Sequence, residues 1–264
     1  MNVENTYSYW LYNYRDAIAK GLLIDHCRFR GFGSREGMLN TLAGEDIWMG
    51  VATSIPIPAS IGVQCSVVST SANDTFINGS GIRSLDIHYL DADGNIQEEV
   101  INMNGLTPIN TVATNIRFIQ DIHAKTVGSG GVSAGIITIY LVENSTIVYQ
   151  QIGINTNRSL SSMRMVPLGK NFYLTKFSGS AVDGSAFDGK SIKITLRATA
   201  HSGELYPGVF LFQQVYYMQN SNFCHIFDPV LKFPPLTIIK CTAWAIISGA
   251  NINASWEGWY EKIA

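Results

Sequence analysis

The sequence predicts an all-β fold, an antiparallel β-sandwich of jelly-roll-like type with a short N-terminal helix or arm. Three observations predict it. Apolar residues alternate with polar ones in runs of strand length, Gly, Asn, Asp, Ser and Pro clusters divide these runs roughly every 8 to 12 residues, and no helical periodicity follows residue 55. A parallel α/β sheet would need helices of about 10 to 15 residues between its strands.

Residues 1–55 are expected to form an N-terminal arm and residues 56–264 the β domain, with two packed modules dividing near residue 145 as the alternative subdivision. In the arm Trp10, Tyr14 and Ile18 recur at i, i+4 and i+8, which places them on one helical face, and Gly21 supplies a stop. That stripe can pack on the chain's own core or on a partner subunit. The partner is the preferred reading, because arms at chain ends are common docking devices.

The β domain is read strand by strand. In Ile82–Leu90, residues Ile82, Leu85, Ile87 and Tyr89 approximate a period of two, with Arg83, Asp86 and His88 on the opposite face. Asp93-Gly94 and Asn104-Gly105 supply the positive φ that tight turns require, so Glu98–Met103 is expected to return antiparallel. Arg117–Ala124 follows as another alternating strand, then a flexible Gly128-Ser129-Gly130-Gly131 loop and a β-branched strand at Ile136–Leu141. Further strands are expected at Ile147–Ile152, Ser162–Val166, Phe172–Phe177, Ile192–Thr199, Val209–Met218, Ile226–Phe233, Thr237–Ile247 and Asn253–Tyr260.

Composition narrows the function. Charged residues make up 14% of the chain, against about 25% in soluble globular proteins. A surface so short of charge is covered by Ser, Thr, Asn and backbone or hidden against neighbours in an assembly. A net charge of -2 gives no long-range attraction to nucleic acid, which argues against direct genome contact. The apolar runs near Ile136–Val142 and Ala243–Ile247 have strand length, so no membrane insertion is expected. The first residues have neither a basic nor an apolar leader region, and folding in a cytoplasm is expected.

No residue pattern demands chemistry. Cys27, Cys65, Cys224 and Cys241 lack metal or redox spacing and read as ordinary buried thiols, although Cys224-His225 could ligate a metal. Asp91-x-Asp93-Gly94-Asn95 resembles the start of a calcium loop, but its glycine comes too early and strands flank it, so it reads as a hairpin turn. The glycines at 128–135 lack a Lys and lead into a strand, which excludes a P-loop. There is no G-x-S-x-G elbow, and the histidines at 26, 88, 123, 201 and 225 lie on different elements. Catalytic, cofactor and metal residues are therefore expected to be absent. Trp244, Trp256, Trp259 and Tyr260 could stack on a sugar, but alternation splays Trp256 from Trp259, which favours core or interface packing. The interface is expected at Trp10, Tyr14, Ile18, Trp256 and Trp259.

The order Val67-Val68-Ser69-Thr70-Ser71-Ala72-Asn73-Asp74-Thr75, Gly79-Ser80-Gly81-Ile82-Arg83, Tyr89-Leu90-Asp91-Ala92-Asp93-Gly94, Asn104-Gly105-x-Thr107-Pro108, Arg117-Phe118, Val127-Gly128-Ser129-Gly130-Gly131 and Ala134-Gly135 resembles a family of virion structural proteins of tailed phages and large double-stranded DNA viruses. Gly31-Phe32-Gly33 and Glu45-Asp46-Ile47-Trp48 extend the likeness, which covers roughly residues 31–140. The resemblance implies a non-enzymatic virion component, a minor capsid, decoration or appendage protein assembled in the host cytoplasm. Its partners would be other virion proteins and copies of itself. The alternative is a tail or fibre module that binds a host receptor or glycan.

Overall fold

Alternation and turn chemistry produce an almost entirely antiparallel β structure, with helix among the described residues only near the N-terminus. The computed structural model describes residues 14–38, 44–50, 52–182, 191–219, 221–245 and 249–263. Residues 14–19 are helical, and Gly21 ends that turn at a φ of +66°, its amide donating to the Ile18 carbonyl.

The first strands are β1 (His26–Arg35), β2 (Glu45–Asp46) and β3 (Cys65–Ser69). Next come β4 (Ile82–Asp91), β5 (Ile96–Asn102), β6 (Ile109–Asn110), β7 (Ile116–Val127), β8 (Ile137–Leu141) and β9 (Asn144–Ile152). The chain continues through β10 (Arg164–Met165), β11 (Lys170–Val182), β12 (Ile192–Ala198), β13 (Ala200–His201) and β14 (Glu204–Leu205). It closes with β15 (Leu211–Met218), β16 (Asn222–Phe233), β17 (Ile238–Ala245) and β18 (Asn251–Lys262).

Two sheets run β1-β18-β11-β16 and β10-β17-β12-β15, and β2 also pairs with β17. Their inward residues form a single core: Phe172, Phe177, Ile252 and Trp256 from the first meet Ile192, Ile194, Ile239 and Ala243 from the second. Taken in chain order, β1, β2, β11, β12, β15, β16, β17 and β18 pair first with last, second with seventh, third with sixth and fourth with fifth. β2 and β10 lie on the same edge of β17, opposite Thr242–Ala243 and Ile238–Ile239. The chain leaves that edge at Ile47 and returns at Ser162, whose amide donates to the Ile47 carbonyl at 3.1 Å.

The excursion between them is a second β unit. Sheets β6-β3-β8-β9 and β5-β4-β7 share a core of Val67, Ile139 and Tyr149 on one side and Leu85, Ile87, Ile101, Ile119 and Ile122 on the other. A third cluster joins the units, with Trp48, Ile55, Leu90 and Phe118 against Met163, Met165 and Ile238.

The span 1–55, expected as an arm, contributes β1 and β2, and β1 pairs with β18 over its whole length. Its pattern hid this, because Gly31 and Gly33 occupy positions where a strand usually shows bulk. A Cβ on Gly31 would lie 2.3 Å from the Trp256 ring, so the neighbouring strand fills that space. The Gly128–Gly131 loop, expected to be flexible, is held by backbone hydrogen bonds from Gly128 to Gly81 and from Gly130 to Ser80. The DADGN segment forms the β4–β5 turn as expected, with Gly94 at a φ of +89° and the Asp91 carboxylate accepting from the Asn95 amide.

Candidate functional site

A cleft of about 430 Å³ lies where the outer face of the β5-β4-β7 sheet meets the other unit, lined by Phe29, His88, Gln120, Asp121, His123 and Arg164, among others. Strand geometry builds it. Residues i and i+2 share a face, so Asp86 and His88 project together from β4 while Leu85 and Ile87 enter the core. Antiparallel register sets His123 opposite Asp86, Asp121 opposite His88 on β7, and Glu98 opposite His88 on β5. One outward face therefore carries two imidazoles and three carboxylates.

The donor atoms of Asp86, His88 and His123 lie within 4.8 Å of one another. His88 Nε2 stands 3.4 Å from Asp86 Oδ1, and His123 Nε2 stands 3.9 Å from Asp86 Oδ2. The Asp86 side chain is 4% exposed, against 39% and 35% for the histidines. Lys125 reaches in from the solvent side, its Nζ 2.8 Å from Asp86 Oδ2 and 3.5 Å from Glu98. Burial favours the neutral Asp86 carboxyl, but the Lys125 hydrogen bond and the charges of His88 and Lys125 outweigh it and hold the group below the usual carboxylate range.

Across the cleft Asp121 gathers the positive charge. Its carboxylate accepts from Arg158 and Ser159, and Arg164 approaches it at 3.5 Å. Burial depresses the pKa of the Arg164 guanidinium, and Asp121 opposes that effect. Gln120 ties the units by exchanging side-chain hydrogen bonds with the Met165 backbone. Among the described residues Asp86, His88 and His123 are the set whose donors converge as metal ligands would. Alternation already put Asp86 and His88 on one face; bringing His123 to them depends on the pairing of β4 with β7, which no local pattern reveals.

The expected interface residues lie elsewhere. Trp10 is outside the described residues. Trp256 is 1% exposed and donates its indole N–H to the Ser162 carbonyl inside the core. Trp259 faces the other way, as alternation implied, and is stacked on Tyr173 and covered by Tyr14. Tyr14 donates to or accepts from His26 Nε2 at 2.7 Å, and Ile18 is 5% exposed, so the helix packs on its own chain's sheet. With Trp256, Trp259 and Tyr260 all buried, these rings offer no platform to a sugar. Of the cysteines, Cys65 and Cys241 are buried, and burial pushes the Cys65 thiol up to about 12. Cys27 and Cys224 are exposed, contrary to expectation, because β1 and β16 are sheet edges. Cys224 and His225 point apart, His225 bonding to the Tyr216 hydroxyl.

The large exposed apolar side chains of the eight-strand unit include Phe212, Val215 and Tyr217 on β15 and Ile226 on β16. These two strands are neighbouring edges of the two sheets, joined across the gap by stacking of Tyr216 on Phe223 at 4.2 Å. Among the described residues their outer main-chain groups have no ladder partner.

No family model matches the chain, and no curated protein matches it in sequence. Among solved structures it overlaps a chain of the cowpea mosaic virus top component, naturally occurring empty particles, at 9% identity and a TM-score of 0.22, covering 76% of this chain and 86% of that one. It also overlaps a chain of infectious bursal disease virus, Gt strain, at 10% identity and a TM-score of 0.16, covering 91% and 78%. A VP2 subviral particle of infectious bursal disease virus aligns at 10% identity with a TM-score of 0.14, covering 92% and 78%. Overlaps at these TM-scores fall short of a shared fold.

Proposed function

We propose that this chain is a non-enzymatic structural protein of a virus particle, a minor capsid, decoration or appendage component that works through contacts with copies of itself and with other virion proteins. The supporting observation is the strand order of the eight-strand unit. Pairing first with last, second with seventh, third with sixth and fourth with fifth is what a long antiparallel hairpin gives when it is rolled into two facing sheets. That order is the one expected of a jelly roll, an architecture common in capsid proteins, and we read the unit as one on this support. Here the second strand is split into β2 and β10, and the other β unit is inserted in the split.

A jelly roll keeps open edges, and edges are managed by covering them or by using them. On the β15 and β16 side the edges carry Phe212, Val215, Tyr217 and Ile226 in the open. Low surface charge and exposed apolar edges suit a subunit whose neighbours complete its surface. The sequence resemblance to virion proteins across residues 31–140 points the same way.

The test is to quantify the protein in purified particles by mass spectrometry, locate it by cryo-electron microscopy, and repeat with Tyr217→Lys and Ile226→Lys. The expected result is a fixed copy number in the native particle and loss of incorporation by the double variant with its melting temperature unchanged. Absence of the wild-type chain from particles would remove the proposal.

A further inference from the structure

The geometry points to a binding site for a divalent first-row transition cation, Zn2+ being the natural probe, with Asp86, His88 and His123 as its ligands. Two imidazoles bring their Nε2 atoms to 3.4 and 3.9 Å from one carboxylate, yet neither makes a hydrogen bond of good geometry to it. Asp86 Oδ1 has no hydrogen-bond partner although the side chain is 96% buried, the complement of its 4% exposure. A carboxylate oxygen at that depth without a hydrogen bond is costly, and a cation among the three donors would satisfy it. The donors, all within 4.8 Å of one another, would draw in toward the roughly 3.3 Å that separates ligands about 2.0–2.1 Å from a tetrahedral zinc.

The surroundings fit the same ligand. The other ring nitrogen of His123, Nδ1, is buried without a hydrogen-bond partner and lies 3.5 Å from the Asp121 carboxylate. A histidine that gives its Nδ1 proton to a carboxylate presents the Nε2 lone pair to a metal, the usual outer partnership of a metal-bound imidazole. The donor set, two imidazoles and a carboxylate, selects zinc and its neighbours over calcium or magnesium, which take oxygen ligands. Water from the cleft can complete the coordination, since His88 and His123 both line it. Lys125 is the competitor: its ammonium holds Asp86 Oδ2 and leaves Oδ1 without a hydrogen bond.

This predicts opposite responses at the two histidines and at Lys125. The chelator-treated full chain, with Cys27→Ser and Cys224→Ser to remove the exposed thiols, is titrated with ZnCl2 by calorimetry and followed by thermal unfolding. One equivalent is expected to bind and to raise the melting temperature. Outer partners of metal-bound histidines are each worth about 10–100-fold in affinity, so His88→Gln and His123→Gln, which lose a ligand, are expected to weaken binding by at least about tenfold. Lys125→Met is expected to tighten it. Co2+ in place of zinc should give a visible spectrum without a thiolate charge-transfer band. No heat and no thermal shift with wild type overturns the site, as does binding that both histidine variants leave unchanged.

Discussion

The Asp74 carboxylate, itself 0% exposed, accepts hydrogen bonds from the Ser69 hydroxyl and from the amides of Ile82, Ala134 and Gly135. Three of the motifs that are adjacent only in the sequence pattern, around residues 69–75, 79–83 and 134–135, close on this one side chain. Gly81 is part of the same construction, because a Cβ there would sit 2.1 Å from Asp74 Oδ1. Asp74→Ala strands the two buried amides of Ile82 and Gly135 and frees the Ala134 amide, which is open to solvent, and each buried donor left unpaired costs about 1–3 kcal/mol. The expected loss in urea unfolding is at least about 2 kcal/mol. Gly81→Ala should also destabilise, and the double variant should lose less than the sum, since both changes break one hub. Strict additivity in that cycle would show the two positions to be independent. The turn residues of this region were legible in the sequence because Asx and Gly chemistry is local. Their common acceptor was not, because its partners lie up to 61 positions away.

At the scale of the strands, legibility followed where the bulk of each packing position comes from. β4 was readable because Ile82, Leu85, Ile87 and Tyr89 carry their own core contacts. β1 was not, since Trp256 on β18 occupies the space beside its glycine. The charged pairs that lie on strand faces set a pH dependence. Glu257 on β18 is raised by burial, but hydrogen bonds and charge from Arg28 on β1 and Lys176 on β11 outweigh this and leave its pKa below the usual range. Asp86 on β4 and Asp91 at its end are depressed in the same way, Asp91 by hydrogen bonds from Asn95 and Gln97. A carboxylate whose folded pKa is depressed stabilises the fold above its unfolded value, near pH 4, and loses that contribution as pH falls through the folded value. Melting temperature should therefore hold constant from neutrality to about pH 5 and fall below about pH 4. Glu257→Gln should flatten part of that fall; an unchanged acid limb would mean that the three-way contact contributes nothing.

For the whole molecule, the all-β class could be read from alternation and turn spacing, whereas the insertion could not, because both units present the same local pattern and only the pairing of β2 and β10 with one strand separates them. The candidate cation site was half legible for the same reason: spacing paired Asp86 with His88, and the β4–β7 register brought His123. An insertion whose ends meet should be removable. Ile47 and Ser162 are hydrogen-bonded to each other, and among the described residues the core of the eight-strand unit draws none from between them. Replacing residues 48–161 by a short Gly-Ser link is expected to leave that unit folded, with dispersed methyl NMR signals and cooperative melting. Its stability should drop, because Met163, Met165 and Ile238 lose their cover from Trp48, Leu90 and Phe118. Polar substitutions at Met163 and Ile238, exposed only in the shortened chain, should restore solubility there and destabilise the full-length protein. A shortened chain that stays molten with those substitutions in place would mean that the eight strands need the inserted unit in order to close.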